Sequence, residues 1–198
     1  AWYFMSCFWS GMVAIGMYSL LARDWLGLKS LLTGAVYHDL GKLTFALCMF
    51  WGYTTLAQYL AIWYGNMTEE IGFILLRTSV EPWATVSKVV LLTCFLVPWG
   101  VLLSRGLKKI PSAYLSITSV IAIGLWLERY LVVTPSVWKE DTLPLGFIEI
   151  GMALGLLGAM VGFVTWFLSR VPPVTITDPW MQPHPDDVHV HPSDAHAA

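Results

Sequence analysis

The sequence predicts an all-α, polytopic transmembrane helical bundle with five membrane-spanning helices, and three observations carry that prediction. Five stretches, 2–21, 43–67, 82–104, 110–133 and 144–168, hold no formal charge or only one or two, and each as a helix is long enough to cross a hydrocarbon core about 30 Å thick. The 198-residue chain is 57% hydrophobic and 12% charged, with mean hydropathy +0.65, whereas a soluble domain is about 25% charged. In lipid the backbone must satisfy its own polar groups, so apolar spans of this length form helices and not strands.

The first span opens within AWYFMSCFWS. With no Met and no charged leader before it, the reading expects a later part of a longer polytopic protein; a signal peptide fits poorly, because the span is too long and too aromatic. YHDLGK, residues 37–42, opens the second helix ahead of its apolar span. His38 and Lys42 are four residues apart and share a helical face, and Asp39 is placed to satisfy free N–H groups at a helix start. A proton-uptake mouth and a capping and headgroup-contact cluster both fit those six residues. Farther along, Trp51, Thr54, Thr55 and Gln58 form a weakly polar stripe, which either links clusters at the two ends or makes interhelical hydrogen bonds.

In the third span Pro98 of LVPWG removes one backbone hydrogen bond, which a membrane helix tolerates when a neighbour covers the freed carbonyl. The fourth span carries Glu128 and Arg129, and the fifth carries Glu149 roughly opposite a close-packing stripe of Gly151, Gly155, Gly158 and Gly162. Residues 171–198 are rich in Pro, His and Asp and lack Lys and Arg, which predicts an extended tail.

Arg23, Lys29, Lys42, Arg105, Lys108, Lys109 and Arg170 collect on one face of the predicted topology, and Arg77 and Lys139, with Lys88 and Arg129 near the boundary, on the other. The positive-inside rule then puts the first face and the C-terminal tail in the cytoplasm. Trp25, Trp63, Tyr64, Trp83 and Trp138 fall near span ends, where amphipathic rings settle among headgroups.

A charge inside a lipid-facing helix costs several kcal/mol, so charges in spans point to a protein interior, a water cavity or a proton path. Counted from the outward boundaries, Gln58, Lys88, Glu128, Arg129 and Glu149 all lie within about two turns, on four helices. Three readings of that layer remain: a proton-carrying or headgroup-holding site, a static ion-pair network, and snorkelling of Lys88 and Arg129 to the interface.

Other chemistry is scarce. His38 is the one histidine before the tail, which rules out a haem held by paired histidines within this chain, and Cys7, Cys48 and Cys94 are isolated in apolar spans. No phosphate loop, dinucleotide fingerprint, zinc-protease motif or nucleophile elbow occurs, and no basic surface suits nucleic acid. His184, Asp186, Asp187, His189, His191, Asp194 and His196 lie in the Pro-rich tail, where no fixed metal geometry is expected.

The run HDLGKLTFALCMFWGYTTLAQYLAIWYGNMTEEIGF, the basic loop SRGLKKIP, the W-x-E-R-Y element at residues 126–130 and TDPW after two prolines together resemble the smaller NrfD-like membrane subunit (ActF type) of alternative complex III, a quinol:electron-acceptor oxidoreductase. The resemblance covers residues 36–185. It implies a non-catalytic membrane subunit, of which this chain corresponds to the C-terminal half, in a bacterial cytoplasmic membrane. Implied partners are a larger NrfD-like membrane subunit, periplasmic iron–sulfur and c-type cytochrome subunits, and membrane lipid. Menaquinol or a similar quinol, iron–sulfur clusters and c-type haem are expected in the complex and none in this chain. Proton-path candidates on this implication are His38, Asp39, Lys42, Gln58, Lys88, Glu128, Arg129 and Glu149. Ala57 stands where the pattern has Ser, which removes one hydroxyl from any relay. Two other readings fit the layer: a quinol-binding NrfD-like anchor of a molybdopterin-type oxidoreductase, and a stand-alone transporter or membrane scaffold.

Overall fold

A computed structural model describes residues 2–28, 32–66, 68–138, 143, 144 and 146–171, the side chains of Arg105 and Lys109 excepted. The expectations for Lys29 and Lys139, and for the tail from residue 172 onward, lie outside the described residues. Among the described residues every regular element is a helix. Five helices or helical runs are long and apolar enough to cross a membrane: Trp2–Ala22, Gly34–Gly65, Trp83–Leu103, Pro111–Val137 and Phe147–Arg170. The chain is thus an all-α, multi-pass membrane protein. It divides into two units, residues 1–144 and 145–198.

The first unit contains α1 (Trp2–Ala22), α2 (Gly34–Gly65), α3 (Thr68–Thr78), α4 (Trp83–Leu91), α5 (Val97–Leu103), α6 (Arg105–Lys109) and α7 (Pro111–Val137). Helix α1 packs on α2 and α7, and α4 packs on α7. Their shared core holds Trp9, Val13, Leu47, Cys48, Trp51, Val90, Cys94, Ile121 and Leu125, with the Trp9 and Trp51 rings 6.2 Å apart and tilted. Lipid tails are as apolar as these side chains, so the bundle is held by close packing and interhelical hydrogen bonds more than by burial from water. Close packing needs small residues at the crossings. A Cβ on Gly124 would stand 2.5 Å from Thr93 Oγ1 and 2.8 Å from Cys94 Sγ, so a glycine there lets the third and fourth spans touch. Trp83, expected at the interface, is instead 3% exposed and packs against Tyr130 at 6.0 Å.

Helix α2 starts at Gly34, about one turn before the YHDLGK segment that is expected to open it. The YHDLGK segment is helical throughout, and Lys42 Nζ donates to Asp39 Oδ1 at 2.8 Å, an exposed i,i+3 pair on one helical face. Asp39 therefore caps nothing; the N-cap is Thr33, without a side-chain bond. At the other end Asn66 terminates α2 in the left-handed region (φ 47), its N–H bonded to the Ile62 carbonyl.

Two prolines interrupt spans. Pro98 cannot donate to the Cys94 carbonyl, four residues back. The chain there widens to a π-helical turn over Leu92–Leu96, and the buried Cys48 thiol of α2 donates to the Cys94 carbonyl at 3.4 Å. Pro135 likewise frees the Leu131 carbonyl inside α7. Arg77, at the end of α3, answers it: Nε donates to the Leu131 carbonyl at 2.9 Å, and Nη2 to the Val132 carbonyl and Ser136 Oγ, both at 2.7 Å.

Helix α3 itself is short and amphipathic, with Glu69 and Glu70 in its first turn and Arg77 in its last, the order the helix dipole favours. It fills most of the stretch between the predicted second and third spans, where the hydropathy pattern predicts only a connection. Helix α6, likewise read as loop, turns Lys108 inward, 7% exposed and 5.2 Å over the Phe45 ring, so this residue of the basic face packs on α2.

In the second unit α8 (Phe147–Arg170) starts with a capping box. Glu149 Oε2 accepts the Gly146 backbone N–H at 2.8 Å, satisfying a donor that the helix start leaves free.

Candidate functional site

The most polar buried point of the first unit is Glu128. One turn from Gly124 on α7, its side chain enters the core, where the residue is 1% exposed. Trp51 of α2 donates its indole N–H to Glu128 Oε1 at 2.7 Å. The other oxygen, Oε2, accepts no hydrogen bond and lies 3.9 Å from Arg129 Nε. Arg129 turns toward α1: Nη2 donates to Ser6 Oγ at 2.6 Å, and the guanidinium lies 4.0 Å over the Tyr3 ring. The pair Glu128–Arg129 thereby ties three spans, α1, α2 and α7, at one level. Burying a carboxyl here is costly, and the adjacent cation and the indole donor reduce that cost.

On its far side Glu128 borders a cleft of about 620 Å³ between α2, α3, the third span and α7. Trp51, Gln58, Arg77, Lys88 and Glu128 all contribute to its wall. Three of the candidates read from the sequence, Gln58, Lys88 and Glu128, thus meet at one cavity, as does Trp51 of the predicted stripe. Thr55 of the same stripe accepts the Trp2 indole N–H at 2.8 Å and donates to the Trp51 carbonyl at 2.7 Å. Thr54 bonds back to its own helix at the Phe50 and Trp51 carbonyls. Neither protein-family models nor curated proteins match this sequence.

The candidates differ in what holds them. Lys88 lines the cleft without reaching Glu128; its ammonium pairs with Glu81 at 3.8 Å, and its side chain is 74% exposed. Glu149 belongs to the second unit and is engaged in capping its own helix. The network in which Lys88 and Arg129 would neutralise Glu128 and Glu149 is therefore replaced by two local pairs, Arg129 with Glu128 and Lys88 with Glu81. His38, Asp39 and Lys42 lie near the opposite end of α2, roughly 14 Å or more from Trp51 along the helix axis. Between them the buried face of α2 presents Thr44, Leu47 and Cys48, and the Thr44 hydroxyl is turned back to the Leu40 carbonyl at 2.8 Å. That stretch carries no polar chain on α2 from one cluster to the other.

Sequence reasoning counted Arg77 as an outward-loop charge. It is 6% exposed and forms one wall of the cleft. The available signal was Pro135: a proline inside a span leaves a carbonyl that some neighbouring donor must cover. Among the described residues no three His, Cys, Asp or Glu side chains come together as a metal site.

Proposed function

We propose that the chain is an integral, non-catalytic subunit of a quinol-oxidising electron-transfer complex of the alternative complex III type. In this reading it lies in a bacterial cytoplasmic membrane with its C-terminus in the cytoplasm, beside a larger NrfD-like subunit and periplasmic iron–sulfur and c-type cytochrome subunits. It supplies helix packing and one proton-holding carboxyl, Glu128. The motif order from HDLGK to TDPW supports the assignment to such a complex.

The observation that carries the proton role is the asymmetry of Glu128: one oxygen is fixed by the Trp51 indole and the other takes no hydrogen bond. A carboxyl held in this way keeps its position whether it is acid or anion, since Trp51 anchors Oε1 and Oε2 is open to accept or carry the proton. Arg129 balances the anion at 3.9 Å. The apolar face at Leu47 and Cys48 separates Glu128 from His38, Asp39 and Lys42, so Glu128 exchanges protons on the cleft side, and the cluster near the start of α2 serves the opposite face.

Glu128→Gln in the intact complex tests this. The expected outcome is fewer protons moved per electron in vesicles at ordinary quinol turnover. An unchanged ratio at unchanged turnover leaves Glu128 with a structural role only.

A further inference from the structure

The polar groups of the cleft fall into two sets, and the difference decides what can occupy it. Those deep in the wall are already engaged. Arg77 donates to three carbonyls and to Ser136 Oγ; the Ser87 hydroxyl is bonded to the Arg77 carbonyl at 2.6 Å, Thr78 to the Ile74 carbonyl and Trp51 to Glu128. Glu128 is covered to 1% exposure. The surface left for a ligand is apolar, formed by Leu56, Tyr59, Ile62, Phe73, Leu91 and Phe95, with the Gln58 amide and the Lys88 ammonium, which also faces Glu81, as polar groups on its wall. The ion pair of Lys88 with Glu81 is 3.8 Å long and exposed, and an ammonium has three donors, so Lys88 can serve Glu81 and a second anion together.

We propose that this cleft binds an anionic phospholipid from the leaflet on the α3 side, with an acyl chain against the apolar wall and the phosphate on Lys88 and Gln58. Lys88 is five residues into the third span, about 8 Å along the axis from Trp83. A headgroup layer is about 5–8 Å deep on each side of the hydrocarbon, so a lysine this near the end of a span reaches a lipid phosphate by extending its own apolar stem. The cleft volume of about 620 Å³ lies within the range of about 300–1,000 Å³ typical of ligand sites. A free anion gains nothing from apolar walls, whereas a lipid uses both parts of the site. Glu128 takes no part in this binding, so the inference stands or falls apart from the proton-holding role.

The test uses the intact complex, equilibrated in nanodiscs of phosphatidylcholine with a minority of phosphatidylglycerol, released into detergent and weighed by native mass spectrometry. The expected result is phosphatidylglycerol retained above its bulk proportion. Lys88→Gln lowers that retention about fivefold, the effect of one basic contact at a membrane surface, while Lys88→Arg keeps it. Leu91→Trp, a substitution at a half-exposed wall position, fills the cleft and removes the retained lipid. Retention at the bulk proportion, insensitivity to both Lys88→Gln and Leu91→Trp, displacement by inorganic phosphate, or recovery of an isoprenoid quinone from the cleft would each overturn the proposal.

Discussion

Two spans are broken by proline, at Pro98 and at Pro135, and the carbonyls they free meet different donors. At Pro98 the helix first accommodates internally, by a π-helical turn, and the remaining carbonyl takes a long contact from the Cys48 thiol. A thiol is a weak donor, but the surroundings are packed and need only one. At Pro135 the helix stays α-helical and a guanidinium from a separate short helix covers the freed carbonyl and the next one. Charge-assisted bonds are about twice as strong as neutral ones. The first kink is therefore local to the core, and the second doubles as the attachment of α3 and so shapes the cleft.

The largest expected effect breaks this second attachment. Arg77→Met leaves the Leu131 and Val132 carbonyls without their cross-helix donor and should cost about 2–3 kcal/mol in a reversible unfolding measurement in bicelles. In a Pro135→Ala background the Leu131 carbonyl returns to its own helical ladder, and the same substitution should cost about 1 kcal/mol less. Equal costs in the two backgrounds would show that Arg77 is not answering the proline.

At the first kink the effect is smaller. Cys48→Ala removes the thiol donor and should cost about 1 kcal/mol, whereas Cys48→Ser, which keeps a donor in place, should cost less than Cys48→Ala. A reversed order for the two variants would make the packing of sulfur, and not its hydrogen bond, the reason for the cysteine.

The smallest effect lies at the exposed edge of the cleft. The Thr85 hydroxyl bond to Glu81, at 2.8 Å, is the main cause that holds this carboxyl below its ordinary range; the Thr85 amide and the Lys88 charge add to it, and burial opposes it. With the folded value depressed, the contribution to stability is present above the unfolded value and is lost as pH falls from the ordinary carboxylate range through the folded one. The stability difference between the wild type and Glu81→Gln should therefore shrink as the pH is lowered below about 4. A difference that is flat with pH would remove Glu81 from the account.

The five spans were legible because hydropathy over twenty residues is a strong signal. What escaped the sequence depended on contacts between distant segments. The opening of the second helix around YHDLGK was legible, but the N-cap at Thr33 was not, and Asp39 pairs with Lys42 on the helix surface instead of capping. Helices α3 and α6 are too short to announce themselves beside charged residues. Gln58, Lys88 and Glu128 line one cleft, but counting along a span does not give azimuth: Glu128 turns to Trp51, 77 residues away in the chain, and Lys88 to Glu81. The role of Glu149 was concealed because its capping partner is Gly146, where the usual signature has Ser or Thr.

The length of α2 has a consequence for its polar end. Its 32 residues measure about 48 Å, and even inclined by about 40°, the upper end of the observed range, the helix would still cover about 37 Å along the normal, more than the hydrocarbon thickness. The surplus of about 7 Å along the normal is about 9 Å of the inclined helix, or about six residues. Emerging at the start of α2, it lifts His38 and Asp39 out of the acyl chains into the headgroup layer, with Lys42 less than one turn below. The aqueous phase then meets this end of the helix through its ionisable side chains.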